Sequence, residues 1–378
     1  VKPELQLNRS LSMGLLTLYG LGTTIGAGIF VLIGKVAGTG GALAPLSFVI
    51  AAVIAGLSAL SFAELSSRFP ESAGEAVYVK EAFNSNTLAL LMGLAVAAVG
   101  IISTATIVVG FSGYLADVVA VPRAAARVGI TLLLVAVAIR GIRSSVTLAA
   151  MITLIEIGLL LVVIFFGASP ELGRGVENLV ASIGTSSTAA WYGVVYGVIL
   201  AFYAFIGFED IVNVAEETRN ASRVVPRAIV WTLVVTTILY LAVALVAVAA
   251  TRPDALAASG APLTLVFERV SGLPGHWVSI IAILSVLNGA LTRGRPEITN
   301  LAEITAADLQ IAASLAVTSR HPVCAALVRA AGPVVVRPDT VETPGMGLVS
   351  GQGAGEIRLG NRAFCGIDSD RPDQGTEL

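Results

Sequence analysis

Gly22-Thr-Thr-Ile-Gly-Ala-Gly-Ile-Phe-Val-Leu-Ile-Gly34 lies inside the first long apolar stretch of the chain, and its reading decides the fold. Apolar sequence continues on both sides for the length of a bilayer. Glycine costs a helix interior about 1 kcal/mol relative to alanine. Gly26 and Gly28, with only Ala27 between them, therefore predict a break in the middle of a span. Backbone groups freed at such a break are tolerated in a membrane only where they face protein, a cavity or a ligand. The N–H groups that open the second half-helix carry positive potential and suit a carboxylate. Close helix packing through small residues would explain the same glycines, and the rest of the chain has to decide between the two.

Composition sets the class. The chain has 378 residues, is 56% hydrophobic and only 13% charged, and has a mean hydropathy of +0.87. Soluble domains carry about 25% charged residues, so this is an integral membrane protein whose partner is a lipid bilayer. The net charge of −2 supplies no basic surface for nucleic acid. Cys324 and Cys365 have no ligand-type spacing, so neither a disulfide framework nor a metal site is expected, and no cofactor is implied.

A helical span needs about 20 mainly apolar residues. Candidate spans run over 12–37, 43–66, 86–116, 128–140, 147–167, 190–212, 228–250 and 274–292. The first is too long for a signal-peptide core and continues into this polytopic pattern. Connections on the side of Lys2, Arg9, Arg68, Lys80 and Arg219 hold more Lys and Arg than the opposite side, which predicts a cytoplasmic amino terminus and tail. After Arg293 no span-length run remains. Residues 306–331 read as an amphipathic helix interrupted near His321-Pro322, and Val334–Val336 and Ile357–Leu359 as short strands: a small soluble α/β piece. Residues 368–378 are a polar tail.

Polar groups at membrane depth are the next pointers. Glu156 stands in the middle of the fifth span. A lone carboxylate there must be protonated, paired or hydrated, which fits a proton-linked or gating site and fits equally a hydrogen-bonded structural carboxyl. The sixth span carries Ala201-Phe-Tyr-Ala-Phe-Ile-Gly-Phe-Glu-Asp210, aromatics around Gly207 followed by two acids. Aromatics in a membrane helix commonly pack. Here they repeat the pattern of the first span, an apolar helix interrupted at glycine, and a pair of interrupted helices is the sequence pointer to a transporter's midplane site.

In combination these stretches resemble the amino acid–polyamine–organocation permeases over residues 5–292. Gly26-Ala-Gly-Ile-Phe30, Ala63-Glu-Leu65 with Phe69-Pro-Glu-Ser-Ala-Gly-Glu-Ala-Val-Tyr-Val79, Phe205-Ile-Gly-Phe-Glu209, Ala215-Glu-Glu-Thr-Arg-Asn220 and Pro226-Arg-Ala-Ile229 occur in the family's order. The resemblance implies a mainly α polytopic membrane protein built from inverted repeats, in the cell membrane, transporting an amino acid by secondary active transport. It implies a substrate site at Thr24, Gly26, Ala27, Gly28, Ile29, Tyr203, Phe205, Ile206 and Gly207. The carboxylate would rest on the N–H groups of Ala27 and Gly28, and the amine on carbonyls at Thr24, Tyr203 and Ile206. Tyr203 matches an aromatic gate and Glu209 a gating carboxylate. Glu156 falls where some relatives carry a lysine that replaces a coupling sodium, so the coupling ion, H+ or Na+, stays open.

The permease pattern stops within an eighth helix, and the expected remaining helices are absent. This predicts an incomplete fold with a loose or partly open eighth helix and weak or absent transport by the monomer. From 291 to 367 the chain resembles the nucleotide-binding domain of heavy-metal P-type ATPases, through Leu291-Thr-Arg-Gly-Arg-Pro-Glu-Ile298, Ala312-Ala-Ser-Leu-Ala-Val-Thr-Ser-Arg-His-Pro322, Gly345-Met-Gly347 and Arg358-Leu-Gly-Asn-Arg-Ala-Phe364. His321, Gly345 and Gly347 would then bind ATP weakly. Hydrolysis is not expected, because Val286 occupies the position of the phosphorylated aspartate. The expected organisation is a permease domain over 1–292, a partial nucleotide-binding domain over 293–367 and the tail, a chimera that transports, or a non-functional or regulatory fusion.

Overall fold

The structure, a computed structural model, describes residues 11–69, 74–140, 146–168, 170–291, 306–319, 322–343, 347–351, 356–360 and 365. The chain divides into two compact units, one over Leu11–Gly294 and one holding Arg295–Leu378.

In the first unit, α1 (Met13–Gly40) starts at Ser12, whose hydroxyl accepts from the Leu15 N–H. It is broken at Gly26, where φ is −22° and ψ −111°. The sequence prepares that break. Thr24 returns its hydroxyl to Gly20 O at 2.7 Å, which competes with the helix ladder, and the two glycines add no side-chain constraint. Gly41, at φ +57°, turns the chain into α2 (Ala44–Arg68), which carries Pro45 in its first turn. Ser47, Phe48, Ala51, Ala55 and Ala59 form the buried stripe of α2, while Val53, Leu57 and Leu60 are exposed on its other side. An apolar outer face over a small-residue inner stripe is what a lipid-facing helix requires.

Next come α3 (Gly74–Phe83), α4 (Asn86–Val118), α5 (Arg123–Arg140), α6 (Val146–Gly167), α7 (Pro170–Thr185) and α8 (Thr188–Phe205). Gly207, at φ +134°, separates α8 from a 3₁₀ segment, Phe208–Glu217. Then follow α9 (Ala221–Ala250), α10 (Pro253–Ala258), α11 (Pro262–Ser271) and α12 (His276–Leu291). The foot of α1 is tied to the end of the 3₁₀ segment, with Leu11 N donating to Glu217 O and Arg219 N to Leu11 O. The core runs from α1 through α2, α6, α8, α9 and α12.

Among the described residues, five stretches are long and apolar enough to cross a membrane: Met13–Arg68, which contains both α1 and α2, then Asn86–Val118, Leu148–Gly167, Thr188–Ala215 and Ala221–Ala250. This is a polytopic helical membrane protein. The spans expected over 128–140 and 274–292 are present as helices α5 and α12 but do not meet that measure. One expectation is corrected. The eighth helix is not loose: α12 buries Val278, Ala282, Ser285, Val286 and Asn288 and packs against α4, α1 and α6. Gly22 of α1 leaves room for the Asn288 side chain of α12, whose Nδ2 would lie 3.0 Å from a Cβ there.

The second unit holds α13 (Ala306–Ala316), α14 (Pro322–Ala331) and an antiparallel sheet in the order β1 (Val341–Thr343), β2 (Gly347–Ser350), β3 (Ile357–Gly360). Leu348 and Leu359 pair across β2 and β3 and bury against Leu315, Cys324 and Leu327. Val334–Val336 is not a strand, contrary to the sequence reading. It lies between Pro333 and Pro338 with no ladder partner among the described residues, and Val335 is 85% exposed. Alternation of apolar residues cannot supply the neighbouring strand that makes a sheet.

Candidate functional site

The two helix breaks meet. Thr23, before the first break, donates its hydroxyl to Gly207 O at 2.8 Å. A Cβ on Gly207 would stand 2.6 Å from Thr23 O and 2.9 Å from Thr24 Cα. Only a glycine allows both that approach and the positive φ. On the other side of the junction, a Cβ on Gly28 would lie 2.5 Å from Ala204 O and 2.8 Å from the Tyr240 hydroxyl. The glycines at both breaks thus serve close backbone packing in addition to any ligand.

Several of the freed backbone groups are matched inside the protein. Tyr240 of α9 donates to Thr24 O, 2.8 Å away, or to Ala204 O, 3.1 Å away. Ile206 N donates to Tyr203 O at 3.2 Å. Gly207 N donates to Glu209 Oε2 at 2.8 Å, so this carboxylate caps the start of the 3₁₀ segment. Of the carbonyls expected to receive an amine, those of Thr24 and Tyr203 already have donors. The side chains of Ile29 and Phe205 are fully buried in the core, and Ile206 is half-buried.

Tyr203 reaches across to α4. Its hydroxyl donates to Ser103 Oγ at 3.2 Å and lies 3.2 Å from Thr106 Oγ1. Sequence reading singled out Tyr203 but not these partners. Ser103 and Thr106 are three residues apart, so they share a helix face, and that spacing was the available signal. Tyr240 gave no comparable signal beyond its own hydroxyl, because its neighbours in Ile238–Ala250 are apolar.

Glu156 is fully buried on α6. Its Oε1 accepts from Asn288 Nδ2 of α12 at 3.0 Å, and the same amide lies 3.2 Å from Thr153 Oγ1. Gly22 permits this, because a Cβ there would collide with the Thr153 hydroxyl. Glu156 Oε2 and Asn288 Oδ1 are buried with no hydrogen-bond partner within 3.5 Å among the described residues, and Ser285 of α12 lies beside the same carboxyl. Unmatched buried oxygens on Glu156 and Asn288 are a costly arrangement unless a proton or cation joins them.

A cavity of about 920 Å³ is lined by Tyr19 of α1, Gly100 and Thr104 of α4, Thr131 of α5, and Asp210 and Asn213 of the 3₁₀ segment. Glu75 of α3, outside the spans, is held above its ordinary carboxyl value chiefly by burial. A backbone hydrogen bond opposes the rise and the Asp210 carboxylate adds to it. Among the described residues no group of three or more His, Cys, Asp or Glu is placed to hold a metal ion. In the second unit, His321 and Gly345 lie outside the described residues, and Gly347 opens β2.

Residues 11–293 match the amino acid permease family. The chain is 31% identical over 268 residues to the methylthioribose transporter of Bacillus subtilis (strain 168), covering 64% of this chain and 55% of that protein. It is 30% identical over 313 residues to the chloroplastic cationic amino acid transporter 9 of Arabidopsis thaliana, covering 75% and 52%. It is 28% identical over 310 residues to the branched-chain amino acid permease BcaP of Bacillus subtilis (strain 168), covering 76% and 64%. The matches span little more than half to just under two thirds of these relatives' lengths.

Proposed function

The chain belongs to the amino acid permease family, and from that premise we propose that it binds an α-amino acid where its two helix breaks meet and carries it across the cell membrane by secondary active transport. It is a transporter-family protein and not an enzyme. The observation that carries the site is the contact between the break of α1 at Gly26 and the break after α8 at Gly207. Paired broken helices at mid-depth offer N–H groups to a carboxylate and carbonyls to an ammonium. The carboxylate would rest on the N–H groups of Ala27 and Gly28. The ammonium would reach the carbonyls at Thr24, Tyr203 or Ile206 as internal donors give way. Tyr203, tied to Ser103 and Thr106, would gate the site, and Glu209 would tune the second break by holding or releasing Gly207 N. Relatives named for cationic amino acids and for branched-chain amino acids support the substrate class.

Coupling would pass through Glu156. The unmatched oxygens of Glu156 and Asn288, with the Ser285 hydroxyl beside them, suit a proton or a sodium ion beside α1. The amino terminus and the second unit would face the cytoplasm, on the bias of Lys and Arg. A second reading concerns that unit, in which His321, Gly345 and Gly347 would bind ATP weakly without hydrolysing it. The folded pair of helices on a three-stranded sheet supports it. Uptake of a panel of radiolabelled L-amino acids into proteoliposomes, under imposed pH and sodium gradients, tests the transport reading. Saturable uptake of one amino acid class is expected; no uptake and no binding of any of them would remove it. ATP titration of the full chain tests the second reading.

A further inference from the structure

The two breaks share a hydrogen-bond donor that neither supplies. Tyr240 lies two thirds of the way along α9 and is fully buried. Phe48 meets its ring edge-on with centroids 5.9 Å apart, and Phe205 lies against it at 5.1 Å. Held on both sides, the ring presents its hydroxyl to Thr24 O at 2.8 Å and to Ala204 O at 3.1 Å. A phenol carries one proton, so it satisfies one of these carbonyls at a time. An ammonium group carries three and could satisfy both. Gly28 stands beside the same point, with the position of its missing Cβ 2.5 Å from Ala204 O and 2.8 Å from the hydroxyl. The hydroxyl already occupies the approach to these two carbonyls, so an ammonium group reaches both of them only when the hydroxyl withdraws.

Resting on the amino-acid reading above, we propose that Tyr240 is an intramolecular stand-in for the substrate's ammonium group. Its hydroxyl clasps the two breaks together when the site is empty and is displaced from the carbonyls when an α-amino acid enters. The clasp keeps two backbone acceptors from being stranded in the empty protein. It also sets the affinity, because each binding event has to break a hydroxyl–carbonyl bond. Tyr240 is thus a competitor of one end of the substrate only. A ligand that keeps the carboxylate but lacks the ammonium has little call on these carbonyls and gains little from the hydroxyl's removal.

The test uses the full chain in detergent, with L-leucine, L-arginine and the α-hydroxy acid counterpart of leucine as probes. Tyr240→Phe keeps the ring and removes the clasp. It should lower the melting temperature of the ligand-free protein yet tighten binding of whichever amino acid the unsubstituted chain binds by about fivefold, the equivalent of about 1 kcal/mol. Binding of the α-hydroxy acid should stay unchanged. Fluorotyrosine placed at 240, a stronger donor of the same shape, should shift amino-acid affinity the opposite way, and it decides the matter if Tyr240→Phe fails to fold. A purely structural tyrosine would weaken amino acid and hydroxy acid together. That result, or an unchanged ratio between them in either variant, overturns the clasp while leaving the amino-acid reading in place. Failure of the unsubstituted chain to bind either amino acid strikes that reading and takes the clasp with it.

Discussion

Thr23 and Gly207, 184 residues apart in the chain, are joined by a 2.8 Å hydrogen bond from the threonine hydroxyl to the glycine carbonyl. The bond fixes the register between two interrupted helices. It also shows why the second interruption falls at glycine. The backbone of Thr23 and Thr24 sits where a side chain on residue 207 would be.

That packing makes the glycines unequal. Gly28→Ala should destabilise the membrane unit by several degrees, because the new Cβ meets Ala204 O at 2.5 Å and a backbone carbonyl cannot step aside cheaply. Gly28→Leu should cost more, so any loss of binding will come with a lowered melting temperature. Gly158→Ala in α6 has nothing within 4 Å and should leave stability unchanged or raise it by up to about 1 kcal/mol. Thermal melts of the purified variants check the contrast.

Glu156→Gln keeps a side-chain carbonyl to accept from Asn288 at the same position but cannot exchange a proton. Folding and insertion should be preserved. A proton-coupled permease should lose the pH dependence of its uptake, and a sodium-coupled one its sodium dependence. Uptake profiles of the unsubstituted and substituted chains, recorded against both gradients, read the difference. Unchanged profiles would leave Glu156 a structural residue.

Glu75 gives a pH dependence of stability. Its carboxyl is raised above 4.5 in the folded chain, chiefly by burial. Between the unfolded value and that raised value the folded state holds more proton than the unfolded state. Stability contributed by this group therefore falls as pH rises through the window. Glu75→Gln removes the effect. The variant should melt higher than the unsubstituted chain at pH 7.5, and the gap should close at pH 4.

In the second unit, Leu348→Ala should cost about 2–5 kcal/mol by opening a cavity between the sheet and the two helices. A unit with so small a core has little reserve. Limited proteolysis should then cut within 306–360, while the fragment covering α1 to α12 survives intact.

The sequence by itself determined that this is a polytopic membrane protein, because 13% charge and repeated span-length apolar runs leave no soluble alternative. It also determined where α1 breaks, because Gly26 and Gly28 weaken a helix whatever surrounds it. It marked Gly207 for the same reason. Tertiary structure alone decided what the breaks touch. Tyr240, Ser103, Thr106 and Asn288 are ordinary residues in apolar helices, and their parts follow from which faces α9, α4 and α12 present to α1, α6 and α8. Packing also overruled two local readings. Val334–Val336 has strand-like residues but no strand beside it, and α12, expected to be loose, is held by buried faces of α1, α4 and α6. Glycine and charge act through the local backbone and its solvent, so a sequence shows them. A hydrogen bond between residues 184 apart depends on how the helices between them are stacked, and only the folded chain sets that.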